Sequence, residues 1–133
     1  MFKTINDQLG FPQFIMESVR PFMSPILFPV IVFISMAFMS FATASNWGIF
    51  AIAIPIVMPL GVALEVPIPL IIGALLSAGS FGSHACFYTD ATVLSAQSCD
   101  ISPMKHALTQ FPYALIAAGS ASIFYIAIAY VVV

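Results

Sequence analysis

The 133 residues are 62% hydrophobic and 6% charged, with a net charge of −2 and a mean hydropathy of +1.11. A water-soluble domain carries about 25% charged residues, so this chain has too few to clothe a soluble surface, and it reads as an all-α integral membrane protein. The small negative charge and the lack of any basic stripe exclude nucleic acid as a partner.

Residues 1–20 are expected to form an interfacial N-terminal segment. Phe11, Phe14, Ile15 and Val19 are mixed there with Lys3, Asp7, Glu17 and Arg20, and Pro12 and Pro21 punctuate the run. A compact apolar core of the signal-peptide type is missing, so no cleaved leader is expected. Lys3 and Arg20 favour a cytoplasmic N-terminus by the positive-inside rule. Residues 21–133 then form the transmembrane region, with about four transmembrane or re-entrant helical segments. No charge occurs between Pro21 and Leu64, a run far longer than the roughly 20 apolar residues that one crossing needs.

The first segment covers about 21–42, with Pro25 and Pro29 bending its start. The second covers about 47–64 and contains Pro55 and Pro59. Glu65–Pro69 makes a turn around an isolated acid, and the third segment covers about 69–82. Residues 83–106 are polar and broken, with a short helix near Thr92–Ser98. The fourth segment covers about 107–133, where Ala114, Ala118 and Ser122 recur every four residues beside Ala117 and Ala121. Such a small-residue face permits close helix packing. The chain stops on an apolar run with no polar tail, as a fragment would. A proline inside an apolar helix frees a backbone carbonyl, which in lipid must find a protein or cavity partner. Short, proline-interrupted segments therefore point to a transporter binding site.

Two polar islands interrupt this pattern. The first, SFATASNWG at Ser40–Gly48, offers Ser40, Thr43, Ser45, Asn46 and Trp47 as hydrogen-bonding groups. It reads either as an external turn, with Ser45 or Asn46 capping a helix, or as a helix break whose uncharged oxygens bind a weakly held monovalent cation. The second, SFGSHACFYTDATVLSAQSCD at Ser80–Asp100, places Asp90 among Thr89, Thr92 and Ser95. An ionisable residue at membrane depth is by default a functional-site candidate, while an ordinary aqueous loop with a solvated Asp90 is the competing reading. His84 suits a proton relay, a gate or a structural hydrogen bond. His84, Cys86, Cys99 and His106 hold zinc-capable atoms, but their spacing is not a structural-zinc pattern. Ser83, His84 and Asp90 together lack the strained nucleophile turn of a serine hydrolase, so no enzyme is expected. Cys86 and Cys99 read as free thiols.

Three co-linear stretches between Ser40 and Leu115 resemble the NhaC family of Na+/H+ antiporters. FATASNWGIFAIAIPIVMPL is similar to that family's FATGTSWGTFAIMIPIA-type segment. FGSHACFYTDATVLSAQSCD resembles its FGDHCSPISDTTILSS segment with the following CD, and KHALTQFPYAL its HVxTQLPYAL segment. The resemblance implies an ion-transporter-superfamily protein of which this chain is the C-terminal portion, one repeat of an inverted-repeat transporter with broken helices. Its function would be secondary Na+/H+ antiport through a membrane-embedded carboxylate and a hydroxyl-rich ion site. Residue by residue, Asp90 matches the coupling carboxylate and Thr92 the threonine two positions on, with Thr89 where serine is usual. Thr43, Ser45 and Asn46 would supply oxygens, and His84 would be a proton relay or a supporting group. Departures are Asn46, where this chain reads ASNWG against the family's TSWG, Ser83, where the family carries an acid, Ala91 in place of a threonine, and Ala85–Tyr88, which lacks the family's proline.

The resemblance implies no cofactor and no resident metal; sodium and protons are cargo. The expected partners are the lipid bilayer and an N-terminal half or partner chain that completes the pore, and a homo-oligomer is compatible with both. The expected location is the plasma membrane, with several passes. Two other functions fit the same residues: transport of another solute, such as an organic anion or amino acid, and a non-transporting membrane assembly subunit.

Overall fold

A computed structural model describes residues 24–132. It contains five helices, α1 (Phe28–Thr43), α2 (Asn46–Ala63), α3 (Ile68–Ala85), α4 (Asp90–Ser98) and α5 (Pro103–Val132). The expected interfacial segment at 1–20 and the first residues of the first apolar segment lie outside the described residues.

Proline sets where several helices start. Pro29 falls in the first turn of α1, where its missing N–H would have no helical acceptor in any case. Pro69 does the same in α3. Ser102 precedes Pro103 at the start of α5, and its hydroxyl accepts from Lys105 N–H at 3.3 Å, which is a serine cap followed by proline. The helix therefore begins at Pro103, earlier than the apolar run alone indicates. Pro55, Pro59 and Pro112 lie inside helices and remove the donors for the carbonyls four residues before them.

Helix ends are built from left-handed residues. Glu65 (φ 58°) and Asp100 (φ 53°) follow α2 and α4. At the first end, Glu65 N–H donates to the Val62 carbonyl at 3.1 Å and Val66 N–H to the Gly61 carbonyl at 3.0 Å. At the second, Asp100 N–H donates to Gln97 at 3.2 Å and Ile101 N–H to Ala96 at 3.0 Å. Both are Schellman closures, which normally favour glycine at the left-handed position. Glu65→Val is expected to destabilise the protein by about 1–2 kcal/mol, because a β-branched side chain crowds the backbone at positive φ. Glu65→Gly should leave the thermal midpoint unchanged or raise it; unfolding in detergent reads both.

Helix α3 packs against each of the other four helices. Its inward face is bulky at the start, with Leu70, Ile71 and Leu75 buried, and small toward the end, where Ala78, Gly79, Gly82 and Ala85 are buried. Asn46 of α2 meets Ser83, a Cβ on Gly79 would lie 2.6 Å from Phe50 Cζ, and Gly61 faces Ile71, so α2 runs antiparallel to α3. Ser40 of α1 meets Gly82, and α1 runs parallel to α3. Helix α5 is antiparallel to α3, joined by Ser77 Oγ to Tyr125 Oη at 2.7 Å and by Gln110 to His84.

Three helices are long and apolar enough to cross a membrane, namely α2, α3 and α5. With 18 residues each, α2 and α3 measure about 27 Å, close to the roughly 30 Å of bilayer hydrocarbon. The outer faces are apolar and uncovered: Phe38, Trp47, Ile116, Ile123 and Phe124 are all exposed. Several hydroxyls on the helices turn back onto their own carbonyls. Ser35 donates to Ile31, Thr43 to Met39, Ser98 to Leu94 and Ser122 to Ala118, at 2.6 to 2.9 Å. In a setting without water, a hydroxyl satisfied within its own helix costs least.

Candidate functional site

Ser40, Ser83, Thr89 and Thr92 depart from that habit and bond between elements, as Ser77 does with Tyr125. The antiparallel arrangement brings the C-terminal ends of α1 and α3 and the N-terminal ends of α2 and α4 to one joint. Two interruptions meet there: Ala44–Ser45 between α1 and α2, and Cys86–Thr89 between α3 and α4. Ala44 (φ 54°) turns the chain out of α1. Cys86 leaves α3 in an extended conformation.

Asn46, the first residue of α2, links the two interruptions. Ser40 Oγ donates to Asn46 Oδ1 at 2.8 Å, and Asn46 Nδ2 donates to Ser83 Oγ. The Ser83 carbonyl then accepts from Thr89 Oγ1 at 2.8 Å. Thr92 Oγ1 donates to the Cys86 carbonyl at 2.9 Å and lies 2.9 Å from Thr89 Oγ1. Ser40, Thr89 and Thr92 are the buried polar residues of the bundle. Two carbonyl oxygens and two hydroxyl oxygens thus crowd one buried point at the end of α3. The two threonines have only one proton each to give, so oxygen lone pairs outnumber the donors. Such a surplus of uncharged oxygen at a helix C-terminus, the negative end of its dipole, suits a cation.

Asp90 opens α4 directly after the Thr89 cap. Its carboxylate is exposed, with Oδ1 accepting from Ala91 N–H at 2.8 Å. A negative side chain is favoured at this end of a helix. His84, on the last turn of α3, pairs through Nδ1 with Gln110 Nε2 at 2.9 Å. A cavity of about 170 Å³ beside the threonines is lined by Ser83, His84, Ala91, Thr92, Ser95, His106 and Gln110.

The expected site residues therefore divide. Thr89, Thr92 and Asn46 join one network, and Asp90 stands at its edge. Thr43 is spent on its own helix, and Ser45 caps α2 by accepting from Gly48 N–H at 3.4 Å; both are exposed. Ser40 and Ser83, noted in the sequence but not expected as ion ligands, belong to the joint, and so does Gln110, which the sequence reading did not single out. Opposite Ser40 the partner is small: Gly82 sits against it so closely that a Cβ would lie 2.8 Å from the Ser40 carbonyl carbon. Ser83, His84 and Asp90 do not form a triad, since Ser83 bonds Asn46, His84 bonds Gln110 and Asp90 bonds Ala91. Among the described residues, no three His, Cys, Asp or Glu side chains gather as a metal site. Cys86 is buried and Cys99 exposed.

Residues 1–130 match the model of the Na+/H+ antiporter family. The chain belongs to that family. Membership places this Na+/H+ antiporter family chain among transporters rather than enzymes, and with its membrane-length helices it is a multi-pass protein of the plasma membrane. It is 35% identical over 104 residues to an uncharacterised protein of Haemophilus influenzae, a match covering 77% of this chain and 20% of that one. It is 32% identical over 85 residues to the malate-2H(+)/Na(+)-lactate antiporter of Bacillus subtilis, covering 64% of this chain and 18% of that one. The chain thus spans about a fifth of the length of these curated relatives. No solved structure matches it.

Proposed function

We propose that the chain is the C-terminal portion of an NhaC-type Na+/H+ antiporter, one repeat of an inverted-repeat transporter, and carries part of its ion site. The observation that supports this most is the joint itself. Asn46, Ser83, Thr89 and Thr92 tie two helix interruptions together with hydroxyls and carbonyls, inside a bundle where other hydroxyls, such as those of Ser35, Thr43 and Ser122, stay within their own helices. Sodium binds between the Ser83 and Cys86 carbonyls and the two threonine hydroxyls. Asp90 is the coupling carboxylate, which exchanges its proton as sodium enters, and His84 assists proton movement. An N-terminal half or a partner chain completes the path, with a second copy as an alternative arrangement.

The test uses membrane vesicles in which the chain is produced from its native locus. Sodium chloride should collapse an imposed proton gradient, and potassium chloride should not. If the chain is in the membrane and sodium evokes no more proton flux than potassium, antiport is wrong. Thr92→Val keeps the shape and removes one oxygen ligand. The sodium concentration for half-maximal flux should rise about tenfold, as expected for a loss of about 1.4 kcal/mol. An unchanged value would take Thr92 out of the ion site.

A second reading follows from the relative in Bacillus subtilis, whose name couples sodium and protons to malate and lactate. If the chain moves organic anions, sodium-driven proton flux will require lactate or malate in the buffer. A non-transporting assembly subunit predicts no sodium-specific flux under any of these conditions.

A further inference from the structure

Helices α3 and α5 are joined by side chains at two points and enclose a cavity between them. One point is Ser77 Oγ, 2.7 Å from Tyr125 Oη. The other is Gln110 Nε2, 2.9 Å from His84 Nδ1. The cavity has a volume of about 390 Å³, within the range of small-molecule sites. Helix α3 presents Ser77, Ser80, Phe81 and His84 to it, and α5 presents Gln110, Tyr113, Ala114 and Ala117. Each set follows the spacing of residues that share one face of a helix. Phe33 of α1 lines the cavity as well.

Two hydroxyls in this cavity are unspent. Elsewhere on α3 and α5, Ser77 and Tyr125 bond each other, Ser83 accepts from Asn46, Ser120 donates to Ala117 and Ser122 to Ala118. Ser80 and Tyr113 bond no described residue, and both are exposed where they line the cavity. A hydroxyl without a partner is costly in apolar surroundings. These two therefore call for a ligand that brings acceptor atoms. Phe33, Phe81 and the alanines suit an apolar stem on the same ligand. The lining has no Asp or Glu to hold an amine, and no Lys or Arg to hold an anion unaided.

We propose that this cavity binds a short-chain carboxylate together with sodium. The carboxylate accepts from the Ser80 and Tyr113 hydroxyls, and its aliphatic part lies against Phe33 and Phe81. The sodium ion beside Thr92 supplies the countercharge. An uncompensated carboxylate is expensive to take out of water, and the smaller cavity is adjacent, since His84 and Gln110 line both. Asp90 lines neither cavity, so its carboxylate does not face the bound anion. The inference rests on the sodium site proposed above, and it deepens the organic-anion reading by giving the anion a place.

Saturation-transfer NMR on the whole chain in lipid nanodiscs tests this, with propionate as the probe and propionamide as its uncharged counterpart. Empty nanodiscs give the background. Propionate should bind about tenfold more tightly in sodium chloride than in potassium chloride, within the usual range of coupling between sites. Propionamide should show no such preference. Ser80→Ala and Tyr113→Phe each remove one donor to a charged group, and each should weaken propionate binding in sodium chloride about tenfold. Neither hydroxyl bonds the protein, so both variants should keep the wild-type thermal midpoint, which separates lost binding from lost folding. Binding untouched by both substitutions overturns the cavity as the site. Propionate that binds equally in either salt, in a protein with sodium-dependent proton flux, overturns the countercharge and leaves the sodium site standing. No propionate binding in such a protein overturns the carboxylate site alone. If sodium evokes no flux and propionate is blind to the cation, the sodium site falls and the proposal falls with it.

Discussion

Asp90→Asn is expected to reduce sodium-driven proton flux to the background of vesicles lacking the protein. The change replaces one carboxylate oxygen by an amide nitrogen and keeps the size of the side chain. It leaves the Thr89 cap of α4, whose hydroxyl accepts from Thr92 N–H at 3.3 Å, untouched. The remaining amide oxygen can still accept from Ala91 N–H. Folding should therefore change by less than about 0.5 kcal/mol, as for a surface substitution away from any special feature. What disappears is the charge and the exchangeable proton. Among the described residues the other acids are Glu65 and Asp100. Glu65 closes α2 at the opposite end of α3, about 27 Å from the joint. Asp100 follows the far end of α4 in a left-handed turn. Neither can substitute for a carboxylate placed at the joint.

The measurement is the sodium-dependent recovery of a pH-sensitive dye, alongside the amount of protein in the membrane and its thermal midpoint. Normal flux with normal insertion would remove Asp90 from the coupling step and direct attention to His84. A loss of flux with a lowered midpoint would indicate a structural role, and Asp90→Glu then separates the two. Glutamate restores the charge but moves it by a methylene, so partial recovery of flux is expected if charge is what matters.

The apolar helices were legible because their signal is long and redundant. Asn46–Ala63 and Ile68–Ala85 contain the runs that length and composition alone mark as spans. The ends were less legible, for a physical reason. Helix α3 continues past Gly82 through Ser83, His84 and Ala85, residues that read as broken because the stretch they open is polar. It stays helical because each polar group finds a partner on another element: Ser83 meets Asn46, His84 meets Gln110, and Gly82 leaves room for Ser40. The partner of Ser83 lies 37 residues away in the chain, where no local pattern reports it.

The same distinction governs the site. Thr89, Thr92 and Asn46 were visible as polar residues in apolar surroundings, and so were Thr43 and Ser45. The chemistry of a hydroxyl does not say whether it bonds its own helix or a neighbouring one. Thr43 bonds Met39 four residues back and is neutralised by that bond, whereas Thr92 reaches the carbonyl of Cys86 across a helix break. A break is what separates the two cases, because it strips carbonyls of their helical donors and leaves them for a side chain or an ion.

Gly82→Leu is expected to unfold the joint, with the thermal midpoint in detergent falling and flux lost together. Helices α1 and α3 run parallel and touch most closely where Ser40 faces Gly82. A side chain added at Gly82 would strike the Ser40 side chain at once, and its first carbon would sit 2.8 Å from the Ser40 backbone carbonyl carbon. A hydroxyl can rotate away, but backbone cannot yield without moving the helix. Even Gly82→Ala should cost about 1–3 kcal/mol, the usual penalty of overpacking a close contact. Moving α1 also pulls Ser40 from Asn46, so the link from Asn46 to Ser83 loses its support. Adding Ser40→Gly to Gly82→Ala should recover part of the loss, because it removes the side-chain clash and leaves the backbone one. Gly119→Leu is the control: a Cβ there meets nothing within 4 Å, and the midpoint should not move. Equal midpoints for Gly82→Leu and Gly119→Leu would mean that α1 and α3 are not in contact at Ser40, and the joint built on that contact would have to be abandoned.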